Sequence, residues 1–209
     1  MRPSRSLVAV AVALLAACSI LPKSESPDVY MLPEAGTAPA PGATPVDWSL
    51  RIETPQTTRN LDSSRIAVLP QPNVVTNYQG ARWTDNAPIV LRNRLLDAFR
   101  SEGRINGLSS DDNSLQADLE LGGDLRAFQT EYRDGKPEIV VRYEARLIVA
   151  RNRRIYATRS FEIHQSVDGT AVPQVIAAFG RAGDALAAQL VPWTMQQGEA
   201  QAQTQGKKL

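Results

Sequence analysis

The chain holds one cysteine and one histidine in 209 residues, and aromatic residues make up 6% of it. A single cysteine excludes any intrachain disulfide. With one imidazole, a transition-metal site would have to be mostly carboxylate, a donor set better suited to hard cations. No GxSxG, HExxH, Walker or CxxC pattern occurs. Neither sign of charge dominates, with 23 Lys and Arg against 22 Asp and Glu. That balance leaves no electrostatic footprint for nucleic acid. Long apolar runs are also missing, apart from one at the N-terminus.

That run is Leu7 to Ala17, preceded by Arg2 and Arg5. It is about half the length needed to span a bilayer core as a helix, so it reads as the apolar region of an export signal. It ends in Leu15-Ala16-Ala17-Cys18, which resembles the lipobox of bacterial lipoproteins. The resemblance implies cleavage before Cys18, a diacylglyceryl group on its sulfur and an acyl group on its new amine. No other cofactor is expected. Ser19 follows the cysteine where an Asp would signal inner-membrane retention, so the resemblance points to the outer membrane, facing the periplasm.

The expected organisation is a signal over 1–17, a lipidated cysteine and tether over 18–45, one domain over 46–193, and a disordered tail over 194–209. The tether holds Pro22, Pro27, Pro33, Pro39, Pro41 and Pro45, which exclude regular structure. One apolar island, Val29 to Pro33, is a candidate docking strand. The tail is rich in Gln, Ala and Lys and has no apolar period.

Within the domain, Val46, Trp48, Leu50 and Ile52 alternate as in a half-buried strand, and Ile66 to Leu69 reads as a strand stopped by Pro70. Thr84 or Asp85 can cap a helix with Leu91, Leu95, Leu96 and Phe99 on one face and Gly103 at its end. Three alternating stretches follow, from Leu115 to Ala127, from Ile139 to Val149 and from Ile155 to Ile163, with a turn at Asp134-Gly135. They predict an antiparallel meander with one wet face. A stripe through Val172, Val175, Ile176, Phe179, Gly183, Leu186 and Leu190 predicts a helix over 171–191, with Pro192 as its stop. The fold class expected is α+β: a single two-layer domain, mainly antiparallel sheet, with two helices packed on one face.

Few residues are candidates for chemistry. His164 has parity opposite to Phe161 and Ile163, so it reads as a solvated strand position, with a general base as the sharper alternative. Asp111-Asp112-Asn113 lacks the ligand spacing of a calcium loop and reads as solvated. Gly122-Gly123 asks for either a bulge or the close approach of a ligand or backbone. Trp83 is open to two placements, an exposed recognition aromatic or a plug between helix and sheet. No catalytic residue and no metal ligand are expected.

Tyr30-Met31-Leu32-Pro33, then Arg65-Ile66-Ala67-Val68, then Asn77 to Asp85 with its Tyr78-x3-Arg82-Trp83 core, then Leu91-x3-Leu95, occur in this order behind the lipobox. In that order they resemble the ABC-type transport auxiliary lipoprotein family, over about residues 29 to 192. The resemblance implies a non-catalytic partner of an MCE-type (mammalian-cell-entry) system, in which an ABC transporter and an MCE-domain protein move lipid across the envelope. Implied partners are that MCE protein and its transporter, the membrane through the anchor, lipid cargo, and further copies of the chain in a homo-oligomer. Tyr78, Arg82 and Trp83 are the candidate partner contacts. The competing readings are an assembly lipoprotein that binds proteins without handling lipid, and a lipoprotein hydrolase.

Overall fold

The structure, a computed structural model, describes residues 26–33 and 44–206. The export signal, Cys18 and much of the tether lie outside the described residues. The chain order is β1 (Asp28–Tyr30), β2 (Leu50–Ile52), β3 (Gln56–Thr57), β4 (Arg65–Gln71), β5 (Val74–Trp83), α1 (Ala87–Glu102), β6 (Leu108–Ser110), β7 (Leu119–Arg133), β8 (Lys136–Val149), β9 (Arg154–Ser166) and α2 (Val172–Gly206).

Strand β7 organises the sheet. One edge pairs antiparallel with β8 over its whole length, from Leu119↔Val149 to Arg133↔Lys136. The other edge takes three short strands laid end to end, all parallel to it: Leu50↔Leu119, Gln56↔Asp124 and Val68↔Thr130. Beyond them, β6 extends β2 in parallel, β5 folds back antiparallel on β4, and β1 adds in parallel to β5. Five of the eight pairings among the described residues are parallel. The expectation of a mainly antiparallel sheet is therefore corrected to a curled mixed sheet with a largely parallel core. The meander β7-β8-β9 is antiparallel as expected, because Asp134 and Gly135 both take positive φ, 52° and 73°, in a tight hairpin turn. Strands β2 and β4 lie where alternation and an apolar run place them, but their parallel pairing carries no local sign, because they are far from β7 in the chain and no turn announces the partner.

A bulge at Arg126 interrupts the β7–β8 register. Before it, Leu119, Leu121 and Leu125 share the helix-facing side; after it, Phe128 and Thr130 do, opposite Val141 and Ile139. A bulge advances one strand by a residue and so reverses side-chain parity. Alternation had placed Ala127 beside Leu125; the bulge gives that face to Phe128. Gly123 answers to backbone proximity: its φ is +152°, and a Cβ there would overlap the Glu144 carbonyl of β8.

Both helices cover one side of the sheet, and the core they close includes Leu91, Leu95, Phe99, Val175, Phe179, Leu186 and Leu190. Helix α1 is preceded by Asn86 instead of Thr84 or Asp85, with Pro88 in its first turn and Gly103 at its end, φ +83°. The expected stop of α2 at Pro192 does not occur, and the helix runs to Gly206 through the stretch expected as a tail. Proline lacks one donor and crowds the preceding turn, but burial beyond it offsets that loss. Trp193, Thr194 and Met195 are buried, Trp193 sits edge-on to Phe161 at 5.8 Å, and the Thr194 hydroxyl donates to the Leu190 carbonyl at 2.9 Å. Gly198 presses its backbone against the Trp48 ring, where any side chain would overlap the indole.

Candidate functional site

The segment Tyr78 to Trp83 lies on β5. Strand alternation near its end sends Ala81 and Trp83 inward and Arg82 outward. Trp83 is 1% exposed. Its ring meets Phe179 edge-on at 5.1 Å and Phe128 at 5.9 Å, and Phe128 and Phe179 touch at 4.8 Å. It is the plug between sheet and helix, and as a direct partner contact the expectation fails, because the ring has no surface. Tyr78 is half-buried, and burial pushes its phenol above the ordinary value. Arg82 is exposed beside Val29 of β1. The three residues share a strand without forming one surface patch.

The apolar island does dock as a strand. Asp28 to Tyr30 pair with Ala81 to Trp83, and the Thr84 amide donates to the Tyr30 carbonyl at 2.9 Å. Beyond β1 the arm crosses α2 where Gly180 and Gly183 form a notch: a Cβ on Gly180 would come within 3.0 Å of Pro33. Arg94, buried on α1, donates to the Pro33 carbonyl at 2.5 Å and pairs with Asp184 of α2 at 2.5 Å. Arg94 thus ties the arm to both helices. It was not among the expected site residues, although an arginine three residues after Leu91, on the apolar face of an amphipathic helix, is a signal of a buried polar partner. Ten residue steps separate Cys18 from the first paired residue of the docked arm.

A polar groove of about 360 Å³ runs past β3, lined by Glu53, Asp111, Glu120, Arg146 and Arg153 among others. Its charges are satisfied internally. Arg51 pairs with Glu53 at 2.6 Å and with Glu120 at 2.7 Å, Arg153 with Glu120 at 2.5 Å, and Arg146 with Asp124. Arg92, buried, holds Asp111 at 2.5 Å and Asp112 at 2.7 Å. Burial alone would raise the Asp111 carboxyl; the Thr54 amide and Arg92 outweigh it and hold it below the usual range. These acids are partners of arginines, and no group of three or more His, Cys, Asp or Glu among the described residues could hold a metal. His164 points outward between Glu138 at 3.0 Å and Glu162 at 2.9 Å. The Glu138 hydrogen bond, aided by Glu162 and opposed by burial, holds its pKa above the ordinary value. A ring held between two carboxylates is a strut on a sheet face. No helix among the described residues is long and apolar enough to cross a membrane.

The fold and this arrangement agree with comparisons to known proteins. The model of the ABC-type transport auxiliary lipoprotein component family matches residues 30–191, from the arm to α2. The chain belongs to that family: it is a membrane-anchored envelope lipoprotein, an auxiliary component of ABC-type transport. The crystal structure of XCC0632 from Xanthomonas campestris is similar at 29% identity with a TM-score of 0.77, over 84% of this chain and 99% of that one. A second crystal structure, of an uncharacterized protein, shares the fold at 16% identity and a TM-score of 0.63, over 81% of this chain and 99% of that one. The uncharacterized protein bll6063 of Bradyrhizobium diazoefficiens is 27% identical over 155 residues, which is 74% of this chain. The chain spans 41% of the length of that relative.

Proposed function

We propose that the protein is a non-catalytic, outer-membrane lipoprotein of an MCE-type ABC system moving lipid across the envelope, where it docks or receives the MCE assembly. The observation that carries the reading is the family match, which spans the folded unit from β1 into α2. The candidate grooves support it: the acids and arginines beside β3 neutralise one another, and the one histidine is held by two glutamates. Cys18 is the attachment point of the lipid, and the working form is a homo-oligomer. Arg82 and Tyr78 are the partner contacts; Arg82 presents its guanidinium to solvent beside the arm, where a charged surface of an MCE protein can meet it.

Purification of the tagged, lipidated protein from detergent-solubilised envelopes tests the reading. An MCE-domain protein encoded nearby is expected to co-purify. Arg82→Glu is expected to reduce its recovery without changing the melting temperature, since surface substitutions of this kind shift stability by less than about 0.5 kcal/mol. Absence of any MCE component, with its gene expressed, defeats the proposal.

A further inference from the structure

The direction of β1 says which end of the domain faces the lipid. Because β1 runs parallel to β5, with Asp28 opposite Ala81 and Tyr30 opposite Trp83, the chain before Asp28 comes from the side of Val74, where β5 begins. That end of the sheet carries two hairpin tips side by side. Strand β4 runs beside β7, Val68↔Thr130 and Leu69↔Glu131, so the β4–β5 turn and the β7–β8 turn project together. The β4–β5 tip exposes Val74 and Val75, each 46% accessible, and the neighbouring strand end exposes Tyr132, 37% accessible. We propose that these paired tips are a bilayer-contacting surface, seated on the membrane leaflet that holds the lipid anchor.

The length of chain supports this occupant. The proposal rests on Cys18 being the anchored residue. Ten residue steps separate Cys18 from Asp28, a contour of at most roughly 36 Å. From Ala81 back to Val74 is seven strand steps, roughly 23 Å at strand rise. An anchor on that side therefore reaches just beyond the tips, and the slack is roughly 13 Å by the same two rises. The domain cannot stand far off the bilayer, and the surface it turns toward the bilayer is the one with exposed valines and a tyrosine. Arg133 and Lys136 at the tip are outnumbered by Glu131, Asp134 and Glu138, so the contact does not depend on anionic lipid. Three partly exposed side chains bind weakly alone, and tethering supplies the effective concentration that keeps them at the interface. Valine at the acyl boundary and tyrosine at the headgroup level match the chemistry of each side chain.

The only native cysteine is Cys18, so once it carries lipid an introduced cysteine is the sole free thiol. The full lipidated chain carrying Val74→Cys or Tyr132→Cys, and as distal references Leu115→Cys or Ile155→Cys, is labelled with the fluorophore NBD. It is then reconstituted into vesicles of phosphatidylethanolamine and phosphatidylglycerol. The tip labels are expected to shift to the blue and to lose emission to doxyl-labelled lipids, with little loss to aqueous iodide. The distal labels are expected to respond to iodide alone. The tip signal is expected to be unchanged when phosphatidylglycerol is omitted. Tip labels quenched by iodide and not by doxyl lipid overturn the proposal. Tip labels shielded from both quenchers overturn it too, by showing a second copy or another protein on that surface. Intact mass before reconstitution separates the two premises: absence of the acyl increment removes Cys18 as the anchor, and the reach argument with it. The co-purification above can fail or succeed independently of either result.

Discussion

Phe179 is the residue on which the packing account is most exposed to test. It is fully buried on α2 and touches both Trp83 and Phe128 through ring edges and faces. Phe179→Ala removes the aromatic body and leaves a void between helix and sheet, for which about 3–5 kcal/mol is the ordinary range. A folded domain of this size has about 5–15 kcal/mol in all. The alanine variant should therefore remain folded, with a melting temperature lower by about 6–20 °C at roughly 2–4 °C per kcal/mol. Phe179→Asp adds the desolvation of a carboxylate with no partner, several kcal/mol more, and should not fold. Urea titration of the signal-less Cys18→Ala domain reads both, with the midpoint falling and the slope unchanged in the alanine variant. A double-mutant cycle with Trp83→Leu should return a coupling of about 0.5–1.5 kcal/mol for the ring pair. An alanine variant within about 1 kcal/mol of wild type, or a soluble Asp variant with native stability, would refute the three-ring core.

Two further outcomes come from other parts of the fold. Ending the chain after Val191, or the substitution Gly198→Val, should lower stability by about 1–3 kcal/mol or more, since the first uncovers Trp48 and deletes buried Trp193 and Met195 while the second forces a side chain into the Trp48 ring; a truncated domain as stable as the full one in thermal melts would return this stretch to a dispensable tail. His164 has a folded-state pKa above its ordinary value of 6.5, so what it adds to stability is fully present below 6.5, while its glutamates remain ionised, and is lost as pH rises through the raised value; His164→Gln should lose less than about 1 kcal/mol, and only on the acid side, whereas an equal loss at alkaline pH in parallel melts would exclude the carboxylate clamp.

The elements that local pattern can announce were legible. Both helix faces, the Asp134-Gly135 turn, the three long strands and the docking island arise from periods and turn residues within a dozen positions of one another. The parallel pairing did not: β2 and β4 were read as strands, but with β3 they meet β7 about 60 to 70 positions later, and no turn residue marks a pairing at that separation. The Arg126 bulge was hidden for a related reason: Ala127 and Phe128 are both apolar, so either parity looked acceptable, and only the need to fill the space beside Trp83 and Phe179 selects Phe128. Pro192 was a correct local signal overruled by the burial of Trp193, Thr194 and Met195 in the next turn. Of the candidate contacts, Trp83 had two open placements, because an aromatic after a polar loop reads the same whether it faces water or a helix; its burial selects the plug. Arg94, which clamps the arm, carried only the cue of its position on an apolar stripe.

The end-to-end seating of β2, β3 and β4 along one edge of β7 sets the timetable of folding. Residues 50 to 69 hold no partner of their own on that side until residues 119 to 131 arrive, and β7 in turn is covered on its other edge only once β8 is present. Pairings at such separations require the loop to close before any contact returns free energy, which slows folding. A chain that emerges from its N-terminus therefore presents more than half its length before the strand that joins β2, β3 and β4 is available. Until residue 119 is reached, the sheet lacks its central strand. Closure of the sheet therefore waits for β7.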